Sequence, residues 1–328
     1  MSTENSAGLF EAVPKYCTEL EPNALGRVAV MYPSGNTTAV VVGEPRGANL
    51  KDLNAQIMQV WSADGNATEI EQCCYLTEPL DAQAVIRMEM FGGEFCGNAT
   101  RSAIAFITKG RDSSGLVEVS GVGYPLQFEV KNGEVAVEMP IPGSGFVDRV
   151  DEGMLVNLEG ISQLVVTEPQ DRSARELLAG LLGQNKYGLA ERPAVGVSYY
   201  DQPTGRANFS VWVKDVDTCF DETACGSGTS AIGIAAATAQ GESVKLSVIQ
   251  PSGEAIITEA EYSKALGAVV RSFIAGTVET LYDGPMRLGA NLQNMPGEVV
   301  ALAAGTPVRY IAEGLGAPEV GILPRAVR

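Results

Sequence analysis

The chain contains no histidine among its 328 residues. Without an imidazole base, Ser-His and Cys-His nucleophilic catalysis cannot operate. It has no Cys-x-x-Cys pair, and its six cysteines (17, 73, 74, 96, 219 and 225) show no disulfide-framework spacing. Lacking both His and paired Cys, it offers no ligand set for structural zinc, and no metal is expected. No GxxxxGK[ST] stretch occurs, so a P-loop is excluded. Basic residues are scarce: 23 Lys and Arg stand against 40 Asp and Glu, for a formal charge of −17. That balance argues against nucleic acid or an anionic membrane as partner. No apolar run reaches the roughly 18 residues a membrane helix needs. The opening MSTENSAGLFEAVPKYC lacks the basic and apolar regions of a secretory signal. A cytoplasmic protein is the expectation, with acid-base chemistry confined to carboxylates, thiols, lysines or tyrosines.

What the sequence does hold is a repeat. GGEFCGNATRSAIAF (92 to 106) and DETACGSGTSAIGIA (221 to 235) each set a cysteine between a turn and an apolar helix, and CGNATRSAIA aligns without a gap to CGSGTSAIGI. Upstream, GNTTAVVVGEPRGA (35 to 48) resembles GISQLVVTEPQDRSA (160 to 174). The offsets, 160 − 35 = 125 and 225 − 96 = 129, are nearly equal, so two homologous halves are expected. The boundaries read as an N-terminal extension (1–26), two halves (27–145 and 146–288) and a Gly- and Pro-rich C-terminal extension (289–328), with a link over about 143 to 157.

RVAVMY and TTAVVV read as strands around a turn at Pro33-Ser34-Gly35. Asn132-Gly133 between alternating runs is a strong hairpin signal. The helix after each cysteine should end near Gly110 and Gly241, glycine being the usual residue past a helix end. Because these helices are apolar nearly all round, each is expected to be buried with sheet wrapped around it.

The chemistry follows from where the cysteines stand. First-turn amides of a helix point outward unpaired, and the macrodipole adds partial positive charge. A thiol there has its thiolate favoured, and the same amides bind carboxylates. Two such junctions facing one another would place a sulfur on each side of the α-carbon of a bound amino acid. One thiolate removes the α-proton while the opposite thiol delivers another: stereoinversion without a cofactor. Cys96 and Cys225 are the candidate bases. Cys17, Cys73, Cys74 and Cys219 lack the Cys-Gly-helix context.

These junctions resemble the cofactor-independent epimerases and racemases of the diaminopimelate epimerase superfamily. PSGNTTAVVV, FGGEFCGNAT, ACGSGTSAIGI and IQPSGEAIIT are most similar to its histidine racemase branch. The resemblance spans residues 27 to 288 and implies an α+β fold of two pseudo-symmetric halves, each a curved, mostly antiparallel sheet or barrel around a central helix. It implies catalytic roles for Cys96 and Cys225, no cofactor, an amino-acid substrate and a homodimer. By position it also implies substrate contacts from Asn36, Glu71, Gln72, Gly97, Asn98, Gln163, Glu222, Gly226 and Ser227, with Asp215 a weaker candidate. Where diaminopimelate epimerases carry Gly-Asn-Pro-His, this chain reads Gly160-Ile161-Ser162-Gln163, and the family's downstream Asn falls near Ala194. The second amino-acid head of diaminopimelate would then lack polar partners, at high cost. A single-headed amino acid is expected, and Glu71 suits a cationic side chain: histidine, 2,4-diaminobutyrate, ornithine or lysine. The alternatives are a diaminopimelate-type epimerase, a double-bond isomerase like the phenazine-pathway enzyme, and an inactive amino-acid-binding relative.

Overall fold

The structure, a computed structural model, describes residues 27–47, 54, 55, 57, 58, 70–143, 145–168, 171–214, 217–285 and 297–300. Most of the two expected extensions, together with Cys17 and Asp215, lies outside the described residues. Among the described residues the chain forms a mixed α/β fold dominated by a 17-stranded sheet, mostly antiparallel with four parallel pairings.

β1 (Arg27–Tyr32) pairs antiparallel with β2 (Thr38–Val42), which runs parallel to β4 (Gln72–Thr77). β4 pairs antiparallel with β5 (Ala84–Met90), and β5 runs parallel to β6 (Ser113–Val119) after the crossover helix α1 (Gly97–Thr108). β7 (Leu126–Lys131) and β8 (Glu134–Glu138) continue the sheet antiparallel. Asn132 and Gly133 join them with φ of 52° and 79°, the left-handed pair that a tight hairpin turn demands.

The later strands pair in a comparable way. β10 (Gly153–Asn157) meets β11 (Ser162–Val166) antiparallel, and β11 runs parallel to β12 (Ala194–Asp201) through helix α2 (Ala174–Gly183). β12 pairs with β13 (Arg206–Val213), which carries β14 (Thr218–Asp221) and meets β15 (Val244–Ile249) in parallel after helix α3 (Gly226–Gln240). β16 (Ala255–Ser263) and β17 (Ala268–Thr277) follow antiparallel. β17 pairs with β8, and β18 (Glu279–Pro285) returns to β1, so the sheet is tied across the chain twice.

Two differences from the sequence reading stand out. The span 143 to 157 is not a plain link: β9 (Val147–Val150) and β10 form a hairpin within it. Its apolar residues are few and spaced, so the alternation was too short to recognise before the turn at Asp151-Glu152 was placed. Four residues of the C-terminal extension, β19 (Gly297–Val300), pair antiparallel with β3 (Glu44–Gly47).

The two cysteine-capped helices, α1 and α3, are buried, as expected of helices with so few charged residues. In α1 eleven of twelve residues are buried, Ile104 and Ile107 among Val117, Leu126, Phe128 and Val137. Around α3 pack Val156, Val165, Phe209, Val211 and Val248. Each fully buried Ile or Val of this kind contributes about 1.5–3 kcal/mol. α3 lies so close to β16 that a Cβ at Gly233 would overlap the Thr258 side chain. Gly241 ends α3 in the left-handed region, while α1 ends one residue early, at Lys109, with Gly110 also left-handed.

Candidate active site

Cys96 and Cys225 are the N-cap residues of α1 and α3. Both have extended backbone (φ −137° and −126°), and each thiol sulfur accepts the amide of the third helical residue: Ala99 at 3.5 Å and Gly228 at 3.4 Å. Sulfur occupies a place that Ser, Thr, Asp or Asn normally holds. Neither helix has an acidic residue in its first turn, so nothing of its own neutralises the outward-pointing amides.

The two helix starts face one another. Asn98 donates from its side chain to the Ala224 carbonyl at 3.2 Å, bridging from α1 to the residue before Cys225. Ile274 of β17 lies against both Cys-Gly junctions: a Cβ at Gly97 would stand 2.7 Å from its Cδ1, and one at Gly226 2.9 Å. Glycine at both positions leaves room for the two helix starts to close over one isoleucine.

A turn from the other end of the chain completes the arrangement. Ser34, Gly35 and Asn36 are all left-handed, with φ of 70°, 106° and 55°. Two of the three are not glycine, a strain of about 1–3 kcal/mol each that surrounding contacts must hold. The Ser252 hydroxyl donates to the Ser34 carbonyl at 2.7 Å, and the Asn36 amide donates to Thr223 Oγ1 at 2.7 Å. A Cβ at Gly35 would come within 2.9 Å of the Ala224 side chain. Glu71 accepts hydrogen bonds from the Thr37 amide (3.1 Å) and the Thr223 hydroxyl (2.8 Å). The side-chain amide of Asn36 has no hydrogen bond among the described residues.

Each thiol has its own glutamine. Cys96 donates to Gln72 Oε1 at 3.1 Å, while Gln72 Nε2 is fixed on Thr38. Gln163, fully buried on β11, donates to Ser227 Oγ at 2.9 Å and reaches Cys225 Sγ at 3.9 Å, its oxygen accepting from Ser198. Gly196 on β12 leaves room for it, since any Cβ there would overlap the Gln163 amide.

Electrostatics tie the set together. Burial pushes the Cys96 thiol up to about 12, with Glu222 and Glu94 adding to the rise while the Ala99 amide and Gln72 oppose it. Burial also raises Cys225; Glu222 and Cys96 add to it, and Ser227 and the Gly228 amide oppose it. Glu222 is itself lifted from 4.5 to about 7 by burial, with Glu71 adding and a hydrogen bond from Cys225 subtracting. Two thiols and two carboxylates therefore sense one another in one small volume.

Eleven of the twelve residues singled out in the sequence lie around these two helix starts: Asn36, Glu71, Gln72, Cys96, Gly97, Asn98, Gln163, Glu222, Cys225, Gly226 and Ser227; Asp215 lies outside the described residues. Four more were not singled out. Thr223 links Glu71 to the Asn36 turn. Gln250 accepts the Cys225 amide at 3.0 Å and donates to Thr229. Ser198 holds Gln163. Arg101 lies fully buried in α1, bonded to Asn98 and the Pro33 carbonyl. Thr223, Arg101 and Gln250 sit inside the motifs DETACGSG, CGNATR and IQPSGE. For Thr223, two residues before Cys225, that position was the available signal.

Comparison with known proteins gives the relatives of the fold and the family. The fold is similar to a PhzF-family phenazine biosynthesis protein of Enterococcus faecalis, with TM-score 0.51 at 13% identity over 80% of this chain and 99% of that one. It is likewise similar to a hydroxyproline epimerase of Agrobacterium vitis, with TM-score 0.52 at 14% identity over 79% and 90%. In sequence, the chain is 27% identical over 219 residues to a histidine racemase of Fusobacterium nucleatum, covering 62% of this chain and 78% of the relative. It is 23% identical over 242 residues to a histidine racemase of Staphylococcus aureus, covering 69% and 85%. A family model described as "Histidine racemase CntK N-terminal domain" matches residues 29–286, a span that takes in both cysteine-capped helices and the strands that support them. The chain belongs to that family.

Proposed function

We infer that the amino acid this enzyme inverts is histidine and that Cys96 and Cys225 are its two bases. The chain is an amino-acid racemase that works without pyridoxal phosphate. The observation that carries the assignment is the pair of cysteine-capped helix starts closing on Ile274, with Glu71 and Glu222 alongside.

On this reading the α-carboxylate lies between the first-turn amides of Gly97 and Asn98 and those of Gly226 and Ser227. Cys96 and Cys225 flank the α-carbon. Burial raises the proton affinity of both thiols, so one of them must release its proton to solvent as the substrate enters. A bound ammonium or imidazolium group favours the thiolate, as any cation within a few ångströms does. The thiolate takes the α-proton and becomes a thiol. The opposite thiol gives its proton to the other face and becomes the thiolate. Charge that develops on the substrate carboxylate is met by helix amides already in place, which need no reorganisation. Glu71 and Glu222 would receive the imidazolium, with Asn36, Gln72 and Gln163 fixing orientation.

The same reading makes the chain a duplicated unit of two pseudo-symmetric halves, 27–145 and 146–288. Its support is the order of pairings: β1, β2, β4, β5, β6, β7 and β8 are matched by β10, β11, β12, β13, β15, β16 and β17, with parallel steps at equivalent places. Retention of both thiols favours the racemase over a double-bond isomerase.

Chiral chromatography of L-histidine, L-ornithine, L-lysine, L-2,4-diaminobutyrate and L-leucine tests the substrate. Histidine should approach an equal mixture fastest, with deuterium entering the first-formed D product in D2O. Leucine turned over as fast as histidine would overturn the assignment.

A further inference from the structure

A line of polar side chains runs through the core to the Cys225 sulfur. Ser198, fully buried on β12, donates to Gln163 Oε1 at 3.1 Å, and Gln163 Nε2 donates to Ser227 Oγ at 2.9 Å. Ser227 Oγ in turn stands 3.4 Å from Cys225 Sγ. The serine oxygen already accepts from Gln163, so its own proton is left to give, and the sulfur is placed to take it. Gln163 Nε2 also points at the sulfur from 3.9 Å, and the Gly228 amide donates to it at 3.4 Å. Two glycines make room for this line. A Cβ at Gly228 would stand 2.7 Å from Ser198 Oγ, and one at Gly196 would overlap the Gln163 amide.

The α1 junction is wired differently. In the gapless alignment Asn98 stands where α3 has Ser227, and Ala99 where it has Gly228. Asn98 bonds the Ala224 carbonyl and Arg101, not its own cysteine. The long side chain also changes strands. In the parallel pair β2 and β4, Thr38 faces Gln72, whereas in β11 and β12 Gln163 faces Gly196. Cys96 therefore meets the carbonyl end of an amide reaching from β4, and Cys225 the N–H end of one reaching from β11. Among the described residues Cys96 receives the Ala99 amide and no hydroxyl. The titratable groups facing Cys225 are Glu222, from the segment just before it, and Cys96, from α1; both oppose negative charge on it, and Glu71 acts in turn on Glu222. Burying a line of polar groups is costly unless each is paired, and here the last proton in the line is paired with this sulfur.

We propose that Ser227 is a positioning residue for Cys225: held in place by Gln163, its hydroxyl donates to the Cys225 sulfur and steadies negative charge there, with no such effect on Cys96. The inference rests on the two-thiol reading of the site. It follows that the half-reaction that leaves the charge on Cys225 ends with a hydroxyl bond already aimed at the sulfur, and the half-reaction that leaves it on Cys96 does not.

The test uses the whole enzyme, iodoacetamide and no substrate, with peptide-resolved mass spectrometry reporting each cysteine. At pH 8, Ser227→Ala should alkylate Cys225 about tenfold more slowly than wild type, the thiolate loss of a one-unit rise in proton affinity. Loosening alone would have the opposite sign, because a smaller side chain opens the way to the sulfur. Ser227→Thr keeps the hydroxyl and should react close to the wild-type rate. Ser227→Val matches threonine in size without the hydroxyl and should be as slow as Ser227→Ala, so this pair decides even if the alanine variant does not fold. Cys96 should change little in each. A Cys225 rate that is unchanged or faster in Ser227→Ala, valine reacting like threonine, or equal slowing at both cysteines overturns the proposal. Failure of the two-thiol reading is a separate result, seen as racemisation surviving Cys96→Ala.

Discussion

The two helix starts share a sequence plan and differ in what surrounds it. At α1 the thiol of Cys96 is partly exposed and points its proton at Gln72, with Arg101 buried close behind. At α3 the thiol of Cys225 is buried, its own amide is pinned by Gln250, and Ser227, Gln163 and Glu222 crowd the sulfur. Repetition supplies the shared part: extended N-cap, glycine, outward amides. The unshared part lies in the side chains that meet each sulfur: Gln72 at Cys96, and Ser227 and Gln163 at Cys225. A duplicated junction can thus carry two sulfurs of different proton affinity.

The strongest way to break the comparison is to remove one sulfur at a time. Cys96→Ala and Cys225→Ala should each lower histidine racemisation about 10²-fold or more, the usual worth of one acid-base group. Each variant should still exchange the α-proton of one enantiomer in D2O, and the two should choose opposite enantiomers. Near-wild-type racemisation by either would remove that cysteine from the mechanism and make Glu222 the next base to examine.

A smaller effect is expected at the carboxylate that joins the two sides. Glu71 accepts from Thr37 on one segment and Thr223 on the other. Glu71→Gln should raise KM for histidine about tenfold, the scale of one charge-assisted hydrogen bond, with a lesser change in kcat. Equal KM values for variant and wild type would place Glu71 outside the substrate's reach.

Much of this site could be read before any coordinates, because it is carried by local grammar. Cys-Gly before a small-residue apolar run fixes a helix start, Asn132-Gly133 fixes a hairpin, and the spacing of both motifs exposes the repeat. Arg101 was not legible. A lone arginine five residues into an apolar helix reads as a solvated cation, and only Gly276, more than a hundred residues away, reveals that it is buried. Gln250 and Ser198 were missed for a similar reason: the Cys225 amide that Gln250 holds and the Gln163 that Ser198 holds are both far away in sequence. The hairpin of β9 and β10 went unseen because four- and five-residue strands give periodicity too little length to register.

Gly196 offers a finer probe of the α3 side. It faces the Gln163 amide with no room for a methyl group. Gly196→Ala should displace Gln163 from Ser227, destabilise the fold by about 1–3 kcal/mol as overpacking does, and lower kcat/KM severalfold. Cys96 alkylation should stay as in wild type, because Gln163 touches only the Cys225 side. Unfolding and alkylation measured together separate these effects, and a slowed Cys96 would show that the two starts are mechanically coupled.

The smallest expected effect is a pH dependence of stability from Glu222. Burial first, and then the charge of Glu71, raise its carboxyl from 4.5 to about 7 in the folded chain. The folded state therefore holds this proton more tightly than the unfolded state does. Any stability from that preference is fully present below about pH 4.5, declines as pH rises, and is gone once pH passes about 7. At 1.36 kcal/mol per unit, with allowance for its partial exposure, the contribution is about 1–2 kcal/mol. Glu222→Gln has no proton to lose, so the difference in unfolding free energy between wild type and variant should change by that amount between pH 5 and pH 8. Wild type should be favoured at the lower pH. Titrating groups that do not interact with Glu222 cancel in this difference. A difference that stays constant across the two pH values would mean that Glu222 is ionised in the folded site at pH 5, and that the carboxylate beside Cys225 carries a standing negative charge.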